Sequence, residues 1–134
     1  MQIKVLAIAV VTNGEKVLLR KKPDGSPPYK ETWYLFGAEI SMAETNIEQA
    51  LQRALTKQAG IRIKMTQQLS WDTEVKPDHD GTETYFVYLD CLCEYVEGVI
   101  VPGDGIEKIE WISRDKLPTY DFVASSFFRD ESLS

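Results

Sequence analysis

The chain has 134 residues, 43% hydrophobic and 27% charged, which is the balance expected of a single soluble globular domain covering 1–134. Its net charge of −6 excludes a broad nucleic-acid or anionic-membrane surface, because those are read by clustered Lys and Arg, so any anion site must be local. The apolar run Val5–Val11 is too short to span a bilayer and lacks the basic start and cleavage site of a leader, so a cytoplasmic protein without membrane contact is expected.

In chain order, Ile3 to Val11 is apolar on both faces, as in a strand covered on both sides. Asn13-Gly14 is a hairpin signal, and Lys16 to Lys22 returns as the antiparallel partner. Pro23 to Tyr29 reads as a turn-rich loop, and Trp33 to Phe36 as a short strand leading through a glycine-containing loop into a helix. A capping box starts that helix, with Thr45 accepting from the Glu48 amide and Glu48 reaching back, and Gly60 ends it. Ile47, Leu51, Ala54 and Leu55 share the side facing a core, which leaves Arg53 and Lys57 on the opposite ridge.

Beyond the helix, Ile61 to Met65 alternates, and the strand continues through Leu69 and Trp71 toward Val75. Pro77 to Gly81 is a surface turn, where His79 between two aspartates reads as a solvent-facing residue rather than a metal ligand. Thr82 to Tyr95 is apolar on both faces and belongs inside a sheet; Cys91 and Cys93 point to one face of it and read as core thiols. Gly98 to Gly105 is a loop able to lie over a site, and Glu107 to Ile112 is a strand. Ser113 caps a short turn through Lys116, and Phe122 to Arg129 forms a final helix whose aromatic residues need a surface to cover. These elements make a mixed α+β domain.

The stretch Trp33 to Ile61 resembles the Nudix box, G-x5-E-x7-R-E-U-x-E-E-x-G-U, of hydrolases that cleave nucleoside diphosphates linked to another moiety. Arg53, Leu55, Gly60 and Ile61 stand where the family has R, U, G and U. Ala38 replaces the glycine, with five residues between it and Glu44, and eight residues rather than seven separate Glu44 from Arg53. Trp33 and Leu35 fit the family's entrance to the box, whereas Phe36 and Ala38 depart from it. The three glutamates with which the family holds Mg²⁺ are replaced by Ala54, Lys57 and Gln58. The resemblance implies an α/β fold, a Nudix-type α/β/α sandwich with a mixed sheet between the box helix and the C-terminal helix.

It also implies a phosphate-binding helix, but not an ordinary metal site. Mg²⁺ needs oxygen ligands in near-octahedral geometry, and a lysine about 5 Å away opposes a dication by on the order of 5 kcal/mol at an effective dielectric of about 20. Arg53 as a bidentate fork and Lys57 as a point charge can instead meet phosphate oxygens, with Gln58, Gly37, Trp33 and Arg20 completing the candidate ligand set. Trp33, Tyr34 or Trp71 can stack a base, although aromatic residues in strands are more often core. Against this, Arg53 and Lys57 can be ordinary solvated cations, Lys57 pairing with Glu44 or Glu39.

Three functions follow. The first is a weak or inactive binder of a nucleotide or other phosphorylated small molecule. The second is an active pyrophosphohydrolase with a displaced Mg²⁺ or Mn²⁺ site, using Glu39 and Glu44 with Glu74, Glu83 or Glu107 from neighbouring strands and Glu44 and Arg53 as catalytic candidates. The third is a protein-interaction module. A homodimer through Val99 to Val101 or the C-terminal helix is compatible with each.

Overall fold

The computed structural model describes residues 1–21, 33–44 and 46–119. Among these residues seven strands form one mixed sheet: β1 (Gln2–Asn13), β2 (Lys16–Lys21), β3 (Trp33–Tyr34), β4 (Phe36–Ile40), β5 (Arg62–Pro77), β6 (Glu83–Glu97) and β7 (Lys108–Ser113). The α-helix of the described residues, α1 (Ile47–Ala59), lies between β4 and β5 in sequence, and a 3-10 helix (Arg114–Thr119) follows β7 where a shorter turn was expected. Thr45, the loop expected over Pro23 to Tyr29 and the helix expected over Phe122 to Arg129 fall outside the described residues.

β1 is the axis of the sheet. It runs parallel to β6 from Gln2↔Thr84 to Thr12↔Glu94, and β6 in turn lies between β1 and the antiparallel β5, inside the sheet as its two apolar faces require. The β1–β2 hairpin forms, with Gly14 at φ 62° in its turn, but the strands pair only at Thr12↔Val17 and Asn13↔Lys16. They then part. β1 takes β4 on that edge, from Val5↔Ile40 to Ala9↔Phe36, while β2 pairs with β7 and β3. The residues Phe36 to Ile40 are therefore strand, not the loop their glycine suggested. Gly37 is there for proximity, since a Cβ on it would stand 2.8 Å from the Ala7 carbonyl oxygen.

Alternation along β1 divides two cores. Ala7, Ala9 and Val11 face α1 with Leu18, Phe36, Cys91 and Cys93, and meet Leu51, Leu55 and Ala59 of the helix. The small alanines let the helix lie close to the sheet. Val10 points to the other face with Val17, Leu19, Leu35, Ile112 and Leu117, so the strand is covered on both sides.

The helix is tied at both ends. Its N-cap is Asn46, whose Oδ1 accepts from the Gln49 amide at 3.0 Å, rather than the expected Thr45. Glu48 is drawn elsewhere, its Oε2 accepting from the Met65 amide of β5 at 2.8 Å. At the other end Gly60 adopts φ 73° and donates to the Thr56 carbonyl at 3.1 Å.

Candidate functional site

Three groups of predicted residues lie on β2, on β4 and on α1 with the loop before it. The first is a pair. Arg53 Nη2 donates to Glu44 Oε1, so the carboxylate that ends the loop before α1 is held by the helix's own arginine. Glu44 is thereby engaged by Arg53, not by Lys57, which stays exposed and forms no ion pair among the described residues.

The second group is Gln58 and Gly37. Gln58 Nε2 donates to the Gly37 carbonyl oxygen at 3.3 Å, linking the last turn of α1 to β4. The other half of that amide, Oε1, is buried without a hydrogen-bond partner among the described residues. The carbonyls behind it are covered. The loop after β6, expected over the site, instead clamps the helix C-terminus, with the Gly103 amide donating to the Gln58 carbonyl at 2.9 Å and the Val101 amide to that of Ala59 at 3.0 Å. Gly103 permits this contact because a Cβ there would lie 2.5 Å from the Lys57 carbonyl oxygen.

The third is Arg20, on β2 opposite Tyr34. Its Nε donates to the Leu35 carbonyl at 3.0 Å, and its guanidinium lies 5.7 Å from the centre of the Tyr34 ring and 5.8 Å from that of Phe36. Burial lowers its pKa, and no carboxylate of the described residues offsets that loss of hydration. A guanidinium keeps its proton in such surroundings. The result is a half-buried permanent cation held by one carbonyl and two rings beside the segment that carries Gly37.

The remaining candidates are not brought here. Trp33 packs against the core on the side away from α1. Tyr34 is buried beneath Arg20, and Trp71 stands out at the far edge of the sheet, 78% exposed. Alternation along β4 sends Phe36, Ala38 and Ile40 toward α1 and Glu39 to the opposite face, where its charge acts on Lys4. Glu39 and Glu44 therefore do not converge. Glu74 accepts from the Tyr88 hydroxyl at 3.3 Å and pairs with Lys76 at 2.6 Å, Glu107 lies 4.0 Å from Lys21, and Glu83 is exposed at the start of β6.

The three box positions themselves do not supply the carboxylates that Mg²⁺ or Mn²⁺ favours. Of the three positions matched to metal-holding glutamates, Ala54 has no donor, Lys57 brings a positive charge, and Gln58 offers one neutral oxygen. The Gly37 carbonyl is already bonded to the Gln58 amide. A hard dication is not held by that donor set. Among the described residues no three His, Cys, Asp or Glu side chains are grouped closely enough to hold a metal ion.

The residues that sequence reasoning missed are structural supports. Glu48 and Gln52 reach from α1 to β5, Gln52 Oε1 accepting from the Ile63 amide at 2.9 Å and its Nε2 donating to the Ile61 carbonyl at 3.1 Å. Nothing in their local sequence marks these partners.

Comparison with known proteins gives a consistent result. No curated protein matches significantly. Among solved structures, the mutator MutT protein from Bacillus halodurans aligns with 98% of this chain and 83% of its own, at 19% identity and a TM-score of 0.75. The MutT NUDIX hydrolase from Burkholderia pseudomallei aligns over 88% of each chain at 22% identity and a TM-score of 0.72. An ADP-ribose pyrophosphatase from Streptococcus suis aligns over 85% of this chain and 76% of its own, at 18% identity and a TM-score of 0.60. These identities speak to the fold, the α/β/α sandwich of Nudix hydrolases. No helix of the described residues is long and apolar enough to cross a membrane. The sequence model of the family described as NUDIX domain matches residues 2–130, and the chain belongs to that family.

Proposed function

We propose that this domain binds a nucleoside diphosphate derivative or similar phosphorylated metabolite through Arg20 and the α1 ridge, without a resident metal and with little or no turnover. One observation carries the reading: the Gln58 amide is already bonded to the Gly37 carbonyl, at a place where the family resemblance puts a glutamate facing a cation. Arg20 supplies the complement, a desolvated cation with no carboxylate of the described residues beside it. Phosphate oxygens would restore to it charge-assisted hydrogen bonds that a single carbonyl leaves unmade. Lys57 adds a mobile positive charge on the same helix. Arg53 contributes only by leaving Glu44, so its part is to hold the loop before α1.

The test is thermal stabilisation in EDTA by a panel of nucleoside mono- and diphosphates, sugar nucleotides and ADP-ribose. At least one member should raise the melting temperature, Mg²⁺ should add nothing, and Arg20→Met should abolish the shift. No shift from any member at millimolar concentration would overturn the reading. Release of monophosphate in Mg²⁺ or Mn²⁺ that disappears in Glu44→Gln would establish the hydrolase with a displaced site instead.

A further inference from the structure

The sheet carries a second cleft, built by β5 and away from Arg20. Along β5 the ladder to β6 steps from Gln68↔Cys91 to Trp71↔Leu89, so Leu69 and Ser70 both stand against Asp90. Extra residues of this kind bend a strand and re-aim the side chains beside them, and such bulges are frequent next to functional sites. Here the re-aimed side chain is Trp71. Its partner Leu89 lies beside Ala7 of β1, which faces α1, so the indole rises on the helix side of the sheet. Between Trp71 and Ile47, the first residue of α1, opens a cleft of about 350 Å³ with Leu89 and Cys91 in its lining. That is within the roughly 300–1,000 Å³ of small-molecule sites and admits a ligand of two fused rings.

Two properties define what the cleft takes. The first is an open ring. Trp33 packs on a core and Trp111 meets Tyr95 edge-on at 5.6 Å, whereas Trp71 is 78% exposed and its ring makes no stacking or cation contact among the described residues. An indole face stacks flat rings and is the best of the aromatic side chains for a cation. The second is charge. Among the described residues the lining holds no Lys or Arg. Its ionisable groups are Asp90, which is buried, and the Cys91 thiol, which burial and then the charge of Asp90 push up, so that it stays protonated. Glu48 adds a carboxylate in the first turn of α1, set against the positive end of the helix. An anion entering here meets like charge and no counter-ion.

We propose that this cleft binds a planar aromatic cation, a nitrogen heterocycle with a fixed positive charge, whose ring lies flat on Trp71. Ile47 and Leu89 supply apolar contact, Asp90 and Glu48 a field of the matching sign, and the exposed amide of Gln68 a hydrogen-bonding group at the mouth. The site shares no residue with Arg20, Lys57 and Gln58, so it stands or falls apart from the phosphate reading.

The experiment is an NMR titration of the full chain with three probes of one ring and different charge: N-methylquinolinium, quinoline at neutral pH, and quinaldate. The indole N–H of Trp71 reports the cleft, and those of Trp33 and Trp111 are internal controls. The cation should shift Trp71 alone and bind about tenfold tighter than quinoline, with quinaldate the weakest. Trp71→Leu, a change at an exposed position that leaves the fold intact, should bring the cation and quinoline within about twofold of each other. At the exposed position 68, Gln68→Lys should weaken the cation about threefold and Gln68→Glu should tighten it by as much. No shift of Trp71 at millimolar N-methylquinolinium would overturn the proposal. So would equal affinities for the cation and quinoline, a preference that survives Trp71→Leu, or a cation indifferent to the charge at position 68.

Discussion

Replacing Gln58 with glutamate tests the site at its centre. The change keeps the side chain's shape and exchanges the amide that donates to the Gly37 carbonyl at 3.3 Å for a carboxylate oxygen. One hydrogen bond worth about 1 kcal/mol is lost, and the desolvation cost of an unsatisfied carbonyl adds about 1–3 kcal/mol. Attraction from the exposed Lys57 offsets part of this, by less than about 1 kcal/mol. A net loss of roughly 2 kcal/mol lowers the melting temperature of a domain this size by about 6–10 °C. The assay is thermal melting by circular dichroism in EDTA and in Mg²⁺. Wild type should melt alike in both, and Gln58→Glu should melt low in both, because the Lys57 ammonium still repels a dication. In the triple variant Ala54→Glu, Lys57→Glu, Gln58→Glu that repulsion is gone, and Mg²⁺ at a hundredfold excess over its dissociation constant should return about 2.7 kcal/mol. Gln58→Glu as stable as wild type in EDTA, or wild type stabilised by Mg²⁺, would refute the reasoning.

Gly103→Ala should destabilise by about 2 kcal/mol or more, measured by urea unfolding, since its Cβ would stand 2.5 Å from the Lys57 carbonyl oxygen and 3.1 Å from the Gln58 Cα. Glu48→Ala should cost about 1–3 kcal/mol in the same measurement by removing the acceptor of the Met65 amide, and Gln at 48, which still offers an oxygen, should recover most of it. Burial, aided by the charges of Cys91 and Glu48, pushes the Cys93 thiol up to about 12. Native protein should therefore resist alkylation at about pH 9, where an unfolded thiol of pKa about 8.5 reacts, and thiol ionisation in the unfolded chain alone should erode stability as pH rises above that value.

What could be read from the sequence was chemistry confined to a few neighbouring residues. The Gly60 stop, the apolar stripe of Leu51 and Leu55, the Gly14 turn and the interior place of β6 all follow from local spacing, and the structure has each of them. The errors fell where a residue's partner lay far along the chain. Gly37 looked like a turn residue because nothing nearby shows that the Ala7 carbonyl presses on it. Glu48 fitted a capping box one residue away from the true cap, yet the Met65 amide, at a separation of 17, was the donor it met. At the site, Lys57 and Gln58 stand where helical spacing puts them. The choice of Glu44 by Arg53 and the turning of Trp33 to the far core depended on how the extra residue in the loop and the β2–β3 pairing settled, which composition and periodicity do not encode.

The parallel union of β1 with β6 also governs the order in which the chain can assemble. Thr12 Oγ1 donates to the Cys93 carbonyl and Thr84 Oγ1 to Gln2 Oε1, contacts that join residues 81 and 82 positions apart. At about 5–20 residues per second of translation, the first strand waits roughly 4–16 s for the strand that will shelter it. Within that interval β4 can take one edge of Val5 to Ala9, while the opposite edge of β1 stays open until β6 emerges. A protein built this way should refold from denaturant slowly, because its central ladder closes only after most of the polypeptide has been gathered in.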